Sequence, residues 1–356
     1  MTGVARTAKP AQTTVTWSPE IGKRVRTGDW DEQAVGTVRR IEEAVRQGQW
    51  EIAAQLVDYF VEEAKVVHVI YGVWFEGFEQ FLRENGVSDD DLAAELERLG
   101  HLLAFPNGEP FEPKQPWEAL GEEAGKFASR LRLGRLGADQ AVAELDALRE
   151  QWRQLHDRGA DRMAGLLALV ASRLGEAAIE RCYRFVLEPY IQERYMPFDI
   201  REQAYEDTLF RNLYLCFEAM RGRLAGNDRR GDMKVTEHDD RWVIDWQCGS
   251  GGRSMFGDVV ESTGSRVEEP YDFGVTQEEY PWAWNKKGVC YYCAHCMFAC
   301  SLLPAERWGH PVRVIEPPTY PEAASGSETA PCRWTVYKTL DAIPEEAYTA
   351  MGRKKP

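Results

Sequence analysis

The hydrophobic pattern of this chain changes period once, near residue 226, and that change constrains the fold more than any other feature. Before it, apolar residues recur at intervals of three and four. In QWEIAAQLVDYFVEEAKVVHVIYGVWFEGFEQFLRENG, Leu56, Phe60, Val67, Trp74, Phe78 and Phe81 fall along one side of a helix. Gly86 ends that run, and Ser88 is a good N-cap for a second helix over SDDDLAAELERLG. Pro106, Pro110, Pro113 and Pro116 make the next stretch a loop. Further helical runs fall at about 117–133, 138–158, 160–192 and 200–225, with Gly159 and Pro197 read as breaks.

After the turn-rich GNDRRGD, the period becomes two. MKVTEH and RWVIDW alternate around a DD turn, and PVRVIEP and CRWTVYK are two more strand-like runs. The pattern predicts an α+β protein. Residues 1–29 read as a flexible tail and 30–226 as a large, bundle-like helical part. Residues 227–345 read as a small mixed α/β domain with a cysteine-rich metal site, and 346–356 as a second tail.

With 356 residues the chain can bury a large core. No run of 18 apolar residues predicts a membrane span. The first residues carry no apolar signal segment, so a cytoplasmic setting with reduced thiols is expected. A formal charge of −15 speaks against a general nucleic-acid face, which needs basic residues to displace counterions. The expected partner is a small-molecule substrate, with no nucleic acid and no membrane; a homodimer through the helical half fits the pattern too.

Six of the eight cysteines follow residue 240, and four of them lie in GVCYYCAHCMFAC, residues 288–300. Cys290, Cys293, Cys296 and Cys300 have the C-x2-C-x2-C-x3-C spacing of a ferredoxin run, although Ser301 stands where that run has proline and no second run exists. Zinc is equally compatible: thiolate and imidazole ligands are available from Cys293, His295, Cys296 and Cys332. The third reading is that these thiols are small buried apolar side chains.

Three other clusters bear on chemistry. CGSGGR, residues 248–253, follows a strand; its backbone amides and Arg253 could hold a carboxylate or oxyanion, or it is only a tight turn. LHDRGAD supplies His156, Asp157 and Asp161 as a base or second ligand set, unless Gly159 breaks the helix and leaves His156 as a helix-terminal cation. Trp282, Trp284, Tyr291 and Tyr292 flank the cysteines and could wall a pocket. His68, in an apolar run, reads as a buried, hydrogen-bonded core histidine, and His310 as a surface turn residue.

The order of a strand ending near Cys248, the segment PWAWNKKGVCYYCAHCMFACSLLPAERWG, the strand HPVRVIE and a final CRWTVYK resembles the C-terminal part of the L-2-amino-thiazoline-4-carboxylic acid hydrolase family. More distantly it resembles vinyl-4-reductase-type small-molecule-binding domains. The resemblance covers about the last 120 residues. It implies a zinc site, with Cys293 at the first ligand position, Glu316 as a glutamate ending a strand and Cys332 as the last cysteine. Thr319 and Tyr320 stand where a further ligand is usual, and His295 or Cys296 is the substitute.

From these readings the first expectation is a metal-dependent, zinc-type hydrolase of a C–N, C–S or amide-like bond in a small polar or heterocyclic molecule. Its expected catalytic residues are Glu316, His295, His156 and Asp157. Cys248, Arg253, Trp284 and Tyr292 would contact substrate, and Cys293, His295, Cys296, Cys332 and Glu316 would hold the metal. A variant makes Cys296 or Cys248 the nucleophile with His295 nearby, although sequence neighbours cannot face each other on a strand. The alternatives are a small-molecule sensor with a structural zinc and an iron–sulfur redox protein.

Overall fold

The computed structural model describes residues 13–247, 250–257, 260, 264–321 and 332–356. The segment expected as an N-terminal tail folds from residue 13 onward. Strands β1 (Val15–Ser18) and β2 (Lys23–Arg26) form an antiparallel hairpin. Arg26 anchors it: its buried guanidinium donates to the carbonyls of Glu32 and Val35 and to Thr37 Oγ1, and its backbone N–H donates to Tyr214 Oη. No apolar period marks a hairpin held by an arginine, so periodicity misses it.

The helical part comprises α1 (Trp30–Ala34), α2 (Thr37–Arg46), α3 (Trp50–Glu84), α4 (Asp89–Leu102), α5 (Lys114–Arg132), α6 (Ala138–Leu174), α7 (Ala178–Arg194) and α8 (Leu209–Gly222). Helix α3 is central and packs against α2, α5, α6, α7 and α8. Its buried face carries the apolar residues spaced for it, from Ala53 through Phe60, Val67 and Trp74 to Phe81. The expected break at Gly159 is absent, and α6 runs unbroken to Gly175, whose φ of 84° ends it. Gly159 answers a packing need instead: a Cβ there would lie 2.6 Å from the Tyr71 ring of α3.

All four expected strands form: β3 (Lys234–Glu237), β4 (Arg241–Trp246), β5 (Val314–Glu316) and β6 (Cys332–Tyr337). They make one antiparallel sheet in the order β3-β4-β6-β5. Between them lie α9 (Gly251–Phe256), α10 (Ala294–Met297), a π-helical turn (Phe298–Leu302) and α11 (Leu303–Trp308), which together with α10 makes one helical stretch; α12 (Glu345–Thr349) follows the sheet. Ile244, Trp246, Cys332, Trp334 and Ile315 turn inward from the sheet, and one hydrophobic core joins them to α3, α6, α7 and α8.

Candidate active site

The cysteine-bearing helical stretch is wedged between the sheet and α3, α7 and α8. Where it meets them, two small cavities of about 40 and 60 Å³ share the walls Met220, Arg223, His295, Cys296 and Trp334. The 40 Å³ cavity also takes in Ser250, Trp284, Tyr292, Cys293 and Cys332. A groove of about 640 Å³ runs along the exposed side of α3, past Val69 and Val73, and shares Ile70 and Arg194 with the 60 Å³ cavity.

Helix geometry brings His295 and Cys296 together. On a strand they would point apart, but on α10 the Cys296 Sγ lies 3.3 Å from His295 Nε2. The other ring nitrogen, Nδ1, sits 2.5 Å from the Tyr292 carbonyl. A carbonyl only accepts, so Nδ1 carries the hydrogen and Nε2 is bare toward the thiol. Burial first, and the Arg223 guanidinium second, push His295 down to about 3 against the pull of that carbonyl. Burial opposes the charge on Arg223 as well, but Tyr292, Tyr71 and Cys296 outweigh it and keep the guanidinium protonated. The fixed positive charge beside Cys296 is therefore that of Arg223.

Behind this wall lies a buried polar chain. His156 Nδ1 is 2.8 Å from Asp157 Oδ1, and His156 Nε2 faces Tyr71 Oη at 3.2 Å and Ser250 Oγ at 3.3 Å. Tyr71 Oη is 3.0 Å from Tyr292 Oη, which links the chain to the cavity wall. Burial would raise the Asp157 carboxyl, yet Arg229, Arg253 and the His156 hydrogen bond hold it well below the usual range. Burial pushes His156 down to about 4, with Asp157 pulling the other way.

The expected site residues separate into three groups. Tyr292, Cys293, His295, Cys296, Cys332 and Trp284 all line the 40 Å³ cavity, and His156 and Asp157 stand behind it. Arg253 is not among the residues lining the cavity: it is buried and clasps α6, donating to the Asp157 carbonyl and to the Asp161 carboxylate. Glu316 is exposed and stands opposite Arg333 in the sheet register, on the face away from Cys332 and Ile315, so the structure does not bring it to the cavity. Cys248 lies outside the described residues.

The described residues do not show the ligand set implied for zinc as a formed site. Among the described residues no three side chains of His, Cys, Asp or Glu come together as a metal-binding group, and this holds for the ferredoxin-spaced cysteines too. Cys300 sits in the π-helical turn, where Arg313 donates to its Sγ at 3.7 Å. Cys293 Sγ packs on the backbone of Gly251, so closely that a Cβ there would fall 2.0 Å away.

Outside the site, His68 is half-buried and stacks on Trp117 with ring centroids 4.3 Å apart, rather than sitting hydrogen-bonded in the core. His310 is buried beside the Phe198 carbonyl, not on a surface turn. Trp282 packs in the core, and Tyr291 donates to Glu176. Sequence reasoning missed Ser250, Arg223 and Tyr71. Ser250 stood inside the CGSGGR motif, where only backbone and Arg253 drew notice; the other two looked like ordinary helix positions.

An α+β protein with a thiol–imidazole pair at the junction of helices and sheet is the class that fold and site define. No family model matches the chain, and no curated protein and no solved structure matches it.

Proposed function

We propose that the protein is a thiol-dependent hydrolase of an amide-like C–N or C–S bond in a small anionic molecule, with Cys296 as nucleophile. The observation that carries this reading is the Cys296 Sγ–His295 Nε2 contact of 3.3 Å, with the tautomer set by Tyr292, in a cavity that also holds Arg223. A guanidinium stabilises the thiolate, and the thiolate is the reactive form. Sγ would bond to the electrophilic carbon as its proton passes to Nε2. Negative charge on the substrate oxygen would fall toward Arg223 and the Tyr292 hydroxyl. The imidazolium would return its proton to the departing nitrogen or sulfur, and water would then cleave the thioester. The inner cavities admit only a few atoms, which limits the reacting end to a small group.

The decisive experiment is the pH dependence of alkylation by iodoacetamide, read cysteine by cysteine by peptide mass spectrometry. Cys296 should react fastest and titrate below the ordinary thiol value of about 8.5. Arg223→Met should move that titration up. Equal reactivity of Cys296 and the buried cysteines, unchanged in Arg223→Met, would rule the reading out.

One observation favours a second reading with bound zinc: four of the five expected ligands, Cys293, His295, Cys296 and Cys332, face the same cavity. Stoichiometric zinc in the purified protein, lost on Cys332→Ala, would move the site to that class.

A further inference from the structure

We infer that Ser250, His156 and Asp157 form a second nucleophilic centre, opening on the same cavity through Ser250, one that takes acyl and sulfonyl electrophiles on Ser250 Oγ. It does not depend on Cys296.

The geometry is that of a hydroxyl, a base and an orienting carboxylate in line. Because α6 is unbroken, His156 and Asp157 are rigidly placed on one helix. Arg153 holds the Asp157 carboxylate at 2.8 Å, and Arg229 holds it at 2.6 and 3.0 Å, so it stays ionised and cannot turn away. An ionised carboxylate only accepts, and the 2.8 Å contact therefore puts the His156 hydrogen on Nδ1 and leaves Nε2 bare. Two hydroxyls face that nitrogen, Tyr71 at 3.2 Å and Ser250 at 3.3 Å. Tyr71 has one hydrogen to give. Donated to Tyr292 Oη, 3.0 Å away, it leaves Nε2 to Ser250.

Ser250 sits in the turn from β4 to α9 and is 1% exposed, yet it lines the cavity together with Arg223 and Tyr292. A ligand reaching Cys296 therefore reaches Ser250 as well, and the same two donors serve an oxyanion on either nucleophile. Neither hydroxyl of the tyrosine pair ionises in the working range: burial raises both, well above the ordinary value for Tyr292. Both keep their hydrogens: Tyr71 gives its own to Tyr292 Oη, which accepts it and keeps its own hydrogen to donate.

With a sulfonyl fluoride the step balances without a co-reactant. Oγ bonds to sulfur, its proton goes to His156 Nε2, and the S–F bond breaks with its electron pair leaving as fluoride. With an ester, the leaving alkoxide takes the proton from the imidazolium.

The test is labelling of the full chain with methanesulfonyl fluoride, whose reacting end carries only one methyl group and so suits the small cavity, the adduct located by peptide mass spectrometry. Wild type and Cys296→Ala should both carry the adduct on Ser250. Removing the base in His156→Gln should slow labelling by at least about a hundredfold, the usual scale of a positioned general base. Absence of a Ser250 adduct in the wild-type protein would show that the chain only cements the fold and would overturn the inference; so would labelling of His156→Gln at the wild-type rate. If Ser250 labels while Cys296 shows no thiol reactivity, this centre stands and the thiol reading falls; the reverse pattern removes this centre alone.

Discussion

His156 and His295 show how much of this protein's behaviour sits in single side chains. Both are buried and neutral, the first at about 4 and the second at about 3, whereas an unfolded histidine titrates near 6.5. As pH falls below about 6.5 the unfolded chain takes up protons that the folded chain refuses. Folded-state stability should therefore be full above about 6.5 and fall as pH drops toward 4, by up to about 1.4 kcal/mol per pH unit for each histidine. Urea midpoints between pH 7 and 4.5 would show this slope, and His295→Gln should flatten it. A slope unchanged by that substitution would mean that His295 takes no part in the acid limb. The buried Glu63–Arg221 pair, 2.6 Å apart and closed to solvent, makes a second demand. Glu63→Ala leaves a guanidinium without its counter-charge and should cost about 3–5 kcal/mol in denaturant unfolding.

At the scale of elements, what the sequence made legible and what it hid have distinct causes. The α3 stripe and the four-strand alternation were readable because burial of one face writes a period into the residues. Gly159 was misread because glycine serves both as a helix breaker and as a gap for a neighbour, and only the Tyr71 ring of α3 tells which. Glu316 was misplaced because strand content is visible in sequence while register is not: one step along β5 exchanges the Ile315 face for that of Arg333. The β1–β2 hairpin was hidden because Arg26, not an apolar stripe, fixes it. Of the site, the residues of the cysteine segment could be named, but their pairing could not; the Cys296–His295 contact exists only because that segment is helical. The hairpin supplies its own test. Arg26→Met removes the donor of two carbonyls and a hydroxyl and should lower stability by about 2–4 kcal/mol, read as a shift in urea midpoint. A shift below about 0.5 kcal/mol would show the hairpin to be ornamental.

For the molecule as a whole, the change of pattern near residue 226 does not divide the packing. Met220 and Leu224 from the helical half share one buried cluster with Trp246, Ile315 and Trp334 from the sheet. Polar links cross it too: Asn212 donates to the Val312 carbonyl, Arg313 donates to Asn212, and Tyr183 donates to the carbonyl of Tyr291. The candidate site is built where these two halves meet, so its geometry depends on both being folded. A shared core of this kind should unfold in one step. Helical circular dichroism, dominated by the N-terminal half, and the fluorescence of Trp246 and Trp334 in the sheet should then be lost at the same urea concentration. Fast alkylation of Cys296 should give way to ordinary thiol reactivity at that concentration as well. Two separated transitions, with the thiol following only the later one, would show that one half carries the site without the other, and that the boundary written in the hydrophobic period is also a boundary in cooperativity.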